Sequence, residues 1–328
     1  MKAAKYIPGG SIQIVEVDTP NCPPKGLLVK TEACGLCSGE LMSWYMDRKH
    51  DHVIGHEVSG TVMESQDERF PVGSRVFAHH HAPCMKCDQC LRAAFVHCPQ
   101  WKATRLDPGG MAEFFAVSED NLNDTHLVDD LSPRQAALIE PLACVFKGIR
   151  KAKMVMRSVL IGSGTERVAI IGAGALGLMH GFALPKSTLI EQSADRIEWA
   201  SGEGLEACRP EEVNGKFDAV FVCPGNREAM RLGFDLLEPE GTLVMFAPLP
   251  PQDDFPFLPE TAYFKDISLV NTYSCGPADT SLALKAMRKG VFQPEQIVSD
   301  FISIDELPEA YQRMKSHQIL KAMVEFPA

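Results

Sequence analysis

The chain lacks the features that bring a protein to a membrane or to nucleic acid. No apolar run approaches the roughly 20 residues that a bilayer-spanning helix needs. It has no block of Lys and Arg, and 43 acidic residues against 32 Lys and Arg give a formal net charge of -11. We therefore expect neither a membrane nor nucleic acid as the main partner.

The sequence also lacks an apolar signal region after Met1, because Lys2 and Lys5 lead directly into a strand-like start. An oxidising secretory compartment is therefore not indicated, and we expect a cytoplasmic protein with reduced thiols. Internal repeats and low-complexity segments are absent. The 328 residues, 45% apolar and 23% charged, are typical of a globular chain long enough for two domains.

Cysteine, by contrast, is present in eleven copies, and four of these form a CxxCxxCx7C run. They are Cys84, Cys87, Cys90 and Cys98, called the cysteine quartet below. A tetrahedral zinc ion takes four soft ligands at about 2.3 Å, and CxxC spacing folds two thiolates toward one point. A disulfide cluster or four unrelated buried cysteines would be the alternatives, and both fit this spacing and compartment less well. The quartet predicts a zinc site.

The pattern of apolar and turn-forming residues changes near residue 140. Before it, short strand-like segments such as GLLVKTEACG and HEVSGTVM are separated by Gly, Pro and Asp turns, which favours an all-β region. After it, apolar strand-like runs alternate with helical ones, which predicts a parallel sheet with helical crossovers. The fold class expected is therefore α/β plus β.

A glycine-rich turn lies in the α/β part, where RVAIIGAGALGLMHG contains GxGxxG directly after an apolar run. These glycines permit a tight turn, close approach of a pyrophosphate and close helix packing. Glu191 closes the next strand, STLIE, where a carboxylate can bind ribose hydroxyls and would repel a 2'-phosphate. We therefore expect NAD in preference to NADP. The residues predicted to contact the dinucleotide are Gly172, Gly174, Ala175, Leu176, Gly177 and Glu191.

Two neighbouring features affect where we place the dinucleotide-binding turn and the helix that follows it. Upstream, SVLIGSGTER is a second strand-and-glycine segment with Gly162 and Gly164, but Arg167 occupies its third glycine position, so we interpret it as a decoy. Downstream, Pro185 cannot continue a helix, so the helix after the glycine turn should end near Leu184.

A second group of donors lies outside the quartet: Cys37, His56, Glu57 and Glu140. They supply one thiolate, one imidazole and two carboxylates, whereas a catalytic zinc uses three protein ligands and keeps a fourth position open. Their spacing alone does not prove that they converge, because a His beside a Glu is often only a surface pair.

These motifs together resemble a known family. CGLCSGE, GHEVSGTV, the quartet, IEPLA and GAGALG occur in the order found in zinc-dependent medium-chain alcohol and polyol dehydrogenases, and the match covers nearly the whole chain. An acidic residue at position 140 looks like the sorbitol and threonine dehydrogenase branch. The resemblance implies that Cys37 and His56 bind zinc, with Glu57 as a ligand or near-shell carboxylate. It places Glu140 as the third ligand or its water-binding substitute.

The resemblance also implies an architecture. Residues 1–141 and 273–328 would form a GroES-like β-rich catalytic domain, and residues 142–272 an inserted Rossmann domain. The quartet would hold a structural zinc in a lobe at about residues 79–101, which makes two zinc ions per chain. Members of the family are usually homodimers or homotetramers, and we expect the same here.

The activity implied is hydride transfer between NAD and a secondary alcohol, and we expect that alcohol to be a polyol, a cyclitol or a sugar derivative. The family's usual Ser or Thr and His proton relay is replaced here by Gly39 and Met42. We expect a carboxylate and water route through Glu57 or Glu140 instead. The missing relay leaves a non-catalytic zinc- and dinucleotide-binding protein as an alternative. A zinc-free reductase of the same fold conflicts with Cys37, His56 and Glu57 all being present.

Two further features are ambiguous in the sequence. His79, His80 and His81 precede the quartet, and on a strand they would point to alternate faces, so at most two could meet one ion. We expect them to pack the lobe or to face substrate rather than to bind a third metal. Lys321 could reach a cofactor phosphate, but we expect an ordinary surface lysine.

Overall fold

The structure, a computed structural model, describes residues 1–49, 52–156, 166–255 and 257–327. The segment with Gly162 and Gly164 lies outside these residues. The chain divides into two compact units, one formed by Met1–Ala143 with Cys275–Ala328 and the other by Cys144–Ser274. In the described ranges, every helix is too short or too polar to span a bilayer.

The secondary structure changes near residue 140, as the sequence pattern predicts: strands predominate before it, and strands alternate with helices after it. The strands are β1 (Lys2–Ile7), β2 (Ser11–Glu16), β3 (Leu27–Gly35), β4 (Glu57–Ser65), β5 (Arg75–Ala78), β6 (Phe114–Val117), β7 (Thr125–Leu127), β8 (Val168–Ile171), β9 (Thr188–Ile190), β10 (Glu206–Cys208), β11 (Phe217–Val222), β12 (Leu237–Met245), β13 (Ser268–Asn271), β14 (Asp300–Ile302) and β15 (Ala322–Glu325). The α-helices are α1 (Ser43–Met46), α2 (Asp88–Leu91), α3 (Pro99–Ala103), α4 (Pro133–Ala137), α5 (Ile139–Val155), α6 (Ala175–Ala183), α7 (Ala194–Gly202), α8 (Arg227–Asp235), α9 (Pro259–Phe264), α10 (Pro277–Arg288) and α11 (Leu307–Lys315). Short 3-10 helices span Ser38–Leu41, Phe95–His97, Asn121–Asp124, Pro210–Glu212, Pro294–Gln296 and Ile304–Glu306.

The first unit is built on a mainly antiparallel sheet with the order β14-β15-β3-β4-β5-β7, and β6 also pairs with β3. The central strand β3 is almost wholly buried, which suits its apolar sequence LLVKTEACG. A hairpin of β1 and β2 adds a second, two-stranded sheet. The core of this unit includes Leu27, Val58, Phe115 and Tyr311.

The second unit contains a parallel six-stranded sheet with the order β10-β9-β8-β11-β12-β13. Counted from β8, this is the order 3-2-1-4-5-6 of a dinucleotide-binding Rossmann sheet. The predicted fold class, α/β plus β, is confirmed. In such sheets ligands bind at the carboxyl ends of the strands where the order reverses, here beside β8 and β11.

Candidate functional site

The four sulfur atoms of the cysteine quartet converge after β5. Cys87 caps the N-terminus of α2, Cys90 lies within α2, and Cys98 caps α3. All four Sγ atoms lie within 4.8 Å of one another; Cys87 and Cys90 are 3.5 Å apart, and Cys84 and Cys90 3.9 Å. Tetrahedral ligands with 2.3 Å bonds would be about 3.8 Å apart. The donor set and its spacing therefore fit a closed zinc site.

Backbone hydrogen bonds favour the thiolate form, which binds metal, at one cysteine of the quartet. The backbone N–H of Lys86, together with that of Cys87, lowers the pKa of Cys84 to about 6 even though burial acts in the opposite direction. Burial and the neighbouring thiols raise the pKa of Cys90 to about 12. Because zinc binds thiolates, loading the quartet must release protons, and its zinc affinity should fall as the pH falls.

A second group of metal-capable donors gathers where β3 and β4 meet. Gly35 at the end of β3 pairs with Glu57 at the start of β4. That register brings Cys37, two residues past β3, beside His56, one residue before β4. One ligand atom from each of Cys37, His56 and Glu57 lies within 4.8 Å of the others. A side chain at Gly35 would not fit, because its Cβ would lie 2.1 Å from Glu57 Oε2.

Glu40, which the sequence interpretation missed, holds this group together. Its buried carboxylate accepts hydrogen bonds from the backbone N–H of Gly55 at 2.8 Å and of Cys37 at 3.3 Å. It also lies 3.2 Å from Nδ1 of His56. Burial would raise the pKa of Glu40, but His56 and the two backbone donors outweigh it and lower that pKa. An ionised Glu40 can only accept, so Nδ1 of His56 carries the proton and Nε2 is left for a metal ion.

A sequence signal for Glu40 did exist. It stands three residues after Cys37, at the N3 position of the 3-10 helix, and forms a capping box with Cys37 as the N-cap residue. A capping box is usually recognised in a sequence by Ser or Thr at the N-cap and Glu or Gln at N3. Here the N-cap residue is a cysteine, so the usual pattern does not match.

Lys321 is not a surface residue, so that expectation is wrong. β15 pairs antiparallel with β3, with Met323 opposite Gly35, and this register carries Lys321 into the interior. The side chain is 3% exposed; Nζ lies 2.5 Å from Oε2 of Glu57 and donates to the carbonyl of Leu36 at 3.0 Å. Burial would lower the pKa of Lys321, but Glu57 and then Cys37 raise it. Lys321 therefore balances the charge of Glu57.

Replacing Lys321 by methionine should destabilise the protein by about 3–5 kcal/mol, because it leaves the buried Glu57 carboxylate without its cation. Chemical denaturation followed by circular dichroism measures the loss. The exposed Lys289 gives the matched control, and its replacement by methionine should change stability by less than about 0.5 kcal/mol. A Lys321→Met protein as stable as that control would show that the ion pair contributes nothing.

The carboxylate of Glu140 is not among the donors that lie within 4.8 Å of one another at Cys37, His56 and Glu57. It is buried in the first turn of α5, and its carboxylate groups instead with His79 and His80, again within 4.8 Å. The two groups are neighbours, because the rings of His56 and His80 have centroids 4.8 Å apart. The role of Glu140 at the Cys37 group stays a prediction.

The two positions of the family's usual relay carry no group that can pass a proton. Gly39 offers only its backbone N–H, which donates to Sγ of Cys37 at 3.3 Å. Met42 is apolar, and its Cε would lie 3.9 Å from a Cβ placed on Gly39. A proton would therefore have to leave by other groups.

The predicted dinucleotide residues form a strand, turn and helix in the second unit. Gly172 follows β8 with a φ of +92°, a conformation that favours glycine, and Gly174 is the N-cap of α6. A Cβ on Gly177 would lie 1.8 Å from the carbonyl oxygen of Gly172, so the helix can approach the strand only with glycine there. Ala175 and Leu176 form the first turn of α6, where free backbone N–H groups suit a phosphate.

Glu191 stands directly after β9, beside the glycine turn. Its Oε2 accepts from the backbone N–H of Ala173 at 2.8 Å. Its Oε1 accepts from the backbone N–H groups of Gln192 at 2.7 Å and Ser193 at 2.9 Å. The structure therefore brings this carboxylate and the GxGxxG turn together at the carboxyl ends of β8 and β9, the edge where α/β sheets bind ligands.

Comparison with known proteins agrees with this geometry. Residues 23–126 match the model of the alcohol dehydrogenase GroES-like domain. D-altritol 5-dehydrogenase from Agrobacterium fabrum is 28% identical over 294 residues, which cover 84% of each chain. Sorbitol dehydrogenase from Halalkalibacterium halodurans is 25% identical over 333 residues, which cover 96% of each chain.

A solved structure gives the same fold over the full length. The alcohol dehydrogenase from Thermus sp. ATN1 superimposes with a TM-score of 0.85 at 22% identity and covers 100% of both chains. The order of the motifs, the matching domain model and the relatives found by sequence all support assignment of the chain to the zinc-dependent medium-chain dehydrogenase/reductase family.

Proposed function

We propose that this protein is a zinc-dependent oxidoreductase that transfers hydride between NAD and a secondary alcohol of a polyol, cyclitol or sugar derivative. The observation that carries the proposal is the convergence of Cys37, His56 and Glu57 within 4.8 Å, in a chain that also has a Rossmann sheet with GxGxxG. The relatives named D-altritol 5-dehydrogenase and sorbitol dehydrogenase support a polyol as the substrate.

Zinc at this position would be held by Cys37 and His56, with Glu57 as a ligand or a nearby carboxylate. When bound, zinc supplies Lewis acidity that makes an alcohol easier to deprotonate near neutral pH. Two residues of the chain support these ligands: Glu40 orients His56, and Lys321 forms an ion pair with Glu57. A second zinc in the cysteine quartet would be structural, because four protein ligands leave no position open.

The cofactor proposed is NAD. The N-terminus of α6 offers backbone N–H groups to the pyrophosphate, with Gly172 and Gly174 leaving room for its approach. Glu191 would accept hydrogen bonds from the adenosine ribose hydroxyls, and its negative charge would oppose a 2'-phosphate. NADP should therefore be the poorer cofactor.

The proton released by the alcohol needs a route that avoids Gly39 and Met42. We propose a carboxylate and water path through Glu57 or Glu140, both of which are buried near His56 or His80. Carboxyl groups can carry out this transfer when their pKa and position suit it.

The direct test is a substrate screen on zinc-loaded protein. Polyols, sugars, cyclitols and amino alcohols are incubated with NAD or with NADP, and the absorbance of the reduced nicotinamide is followed. We expect turnover with at least one polyol, and kcat/KM at least about tenfold higher with NAD, which corresponds to about 1.4 kcal/mol. An inert protein that still binds NAD would favour the non-catalytic alternative, to which the missing relay at Gly39 and Met42 points.

A further inference from the structure

The run of three histidines does not lie on a strand, contrary to the expectation from the sequence. β5 ends at Ala78, and the chain then leaves the sheet. His81 packs within the lobe, since its ring lies 4.2 Å from that of Trp101 and its Nδ1 lies 2.7 Å from the carbonyl oxygen of Thr104. His79 instead belongs to a network of polar side chains in the first unit.

His79, Asp124 and His126 form a continuous chain of hydrogen-bonded side chains. Nδ1 of His79 lies 2.8 Å from Oδ2 of Asp124, and Nε2 of His126 lies 3.2 Å from Oδ1 of the same carboxylate. The side chains of His79 and Asp124 are fully buried, whereas that of His126 is 24% exposed. These three side chains therefore connect the interior of the unit with its surface.

The charge of Asp124 sets the direction of these hydrogen bonds. Burial would raise the pKa of Asp124, but the hydrogen bonds with His126 and His79 outweigh it and lower that pKa. An ionised carboxylate can only accept, so Nδ1 of His79 carries a proton and Nε2 keeps a lone pair. The thiol of Cys275 lies 3.6 Å from that Nε2. The buried end of the three side chains is therefore a nitrogen that can accept a proton.

This buried end is close to a carboxylate of the proposed proton path. A ring nitrogen of His79 and a carboxylate oxygen of Glu140 lie within 4.8 Å of each other, a separation that one water molecule can bridge. Gly39 and Met42 carry no group that can pass a proton. A path through Glu140 therefore needs an exit to solvent, and His79 is placed to begin one.

We propose that His79, Asp124 and His126 form a proton relay that connects the active site with solvent. This inference rests on the proposed function, because the proton that it carries is the one that alcohol oxidation releases. In the outward direction, Nε2 of His79 takes up a proton and Nδ1 passes its own proton to Asp124. Asp124 then protonates Nε2 of His126, and water takes a proton from the other ring nitrogen. No electrons move in these steps, and the reverse order supplies the proton for ketone reduction.

His126 suits the outer position because its ring meets water. Transfer from Asp124 needs the tautomer of His126 in which Nε2 is free, and an exposed ring can change its tautomer by exchanging protons with solvent. The hydroxyl of Thr280 donates to Oδ1 of Asp124 at 2.6 Å. The carboxylate therefore keeps a donor on this oxygen while His126 changes its protonation.

The first test follows the Nδ1 proton of His79 by NMR and needs no turnover. In zinc-loaded full-length protein with nitrogen-15-labelled histidine, this proton should give a low-field signal that is lost in Asp124→Asn. We expect its exchange with water, measured by saturation transfer, to be several-fold slower in His126→Asn than in the wild type. An Asn amide can still donate to Asp124 but cannot take up and release a proton. His317→Asn, at an exposed histidine of the same unit, should leave the exchange rate unchanged.

The sign of the change in exchange rate separates a relay from a purely structural network. If the network only held the fold, removing His126 would loosen it, and local opening would make the exchange faster. An exchange rate in His126→Asn that is unchanged or faster would overturn the proposal. Equal slowing in His317→Asn would overturn it as well, because the effect would then not depend on the network.

The second test uses turnover and separates the relay from the proposed function. In weakly buffered solution, kcat for the best polyol should fall at least about tenfold in His126→Asn, and a higher buffer concentration should restore part of it. The double variant Asp124→Asn/His126→Asn should be no slower than Asp124→Asn alone, because both residues act on one path.

The two tests fail in different ways. Full turnover in His126→Asn, or a loss of rate that added buffer does not restore, would remove the relay while the proposed function stands. If His126→Asn slows the exchange of the His79 proton in a protein that oxidises no alcohol, the proton path exists and the proposed function fails.

Discussion

Replacing Cys37 by serine should lower kcat/KM for the best substrate by more than about 100-fold and leave the fold intact. Even residues that only contact a metal ligand typically contribute 10–100-fold to affinity or activity, so a ligand itself should contribute more. A serine hydroxyl is a far weaker zinc ligand than a thiolate. The side chain is partly exposed and lies in the turn after β3, so little packing is lost.

The measurement combines steady-state kinetics with zinc analysis of the same preparation. Cys22 gives the matched control, since it is a partly buried thiol outside both groups of metal donors, and Cys22→Ser should be unchanged in rate and zinc content. Turnover by Cys37→Ser within a few-fold of the wild type, in protein that has lost zinc, would remove Cys37 from the reaction.

Features set by local sequence could be predicted well. The GxGxxG turn follows β8 and opens α6, and α6 ends at Ala183 with Leu184 as its cap, one residue before Pro185. These outcomes depend on residues a few positions apart, because glycine and proline limit the backbone directly. The convergence of the quartet is similarly local, as its cysteines lie on and beside the short helices α2 and α3.

Features set by strand register could not be predicted. Lys321 and Leu36 are 285 residues apart in the sequence and meet only because β15 pairs with β3. A strand-like pattern identifies β15 as a strand but does not say which edge it joins or in which register. The burial of Lys321 beside Glu57 follows from that register, and its sequence context alone resembles that of a surface lysine.

The positions of His79, His80 and His81 also could not be predicted from the sequence, although here the cause is a strand boundary only one residue away. An alternating pattern assigns faces correctly only while the strand continues, and β5 stops at Ala78. Where a strand ends is the least certain part of a prediction from sequence, because hydrogen bonding to neighbouring strands decides it. Past that boundary, ring nitrogens of the neighbours His79 and His80 lie within 4.8 Å of each other, which the alternating faces of a strand do not predict.

Replacing Cys98 by serine should unfold the lobe around the quartet, the second large effect that the structure predicts. Structural zinc sites contribute about 10–16 kcal/mol of apparent binding free energy, whereas the lobe's own apolar cluster is small. That cluster consists of Val96 and Trp101 packed with Phe95 and the cysteines themselves. Without zinc, so few apolar contacts cannot offset the conformational entropy of ordering the segment.

Trp101 provides the readout, because its side chain is 2% exposed in the folded lobe. In a background in which the other two tryptophans, Trp44 and Trp199, are replaced by phenylalanine, Cys98→Ser should shift the emission of Trp101 to longer wavelength and make residues 84–101 sensitive to protease. Cys208→Ser is the control, since Cys208 lies in the other unit, and it should change neither signal. If Cys98→Ser loses one zinc ion yet keeps a buried Trp101 and a protease-resistant lobe, packing and not metal must fold this segment. The lobe would then fold without zinc bound to the quartet.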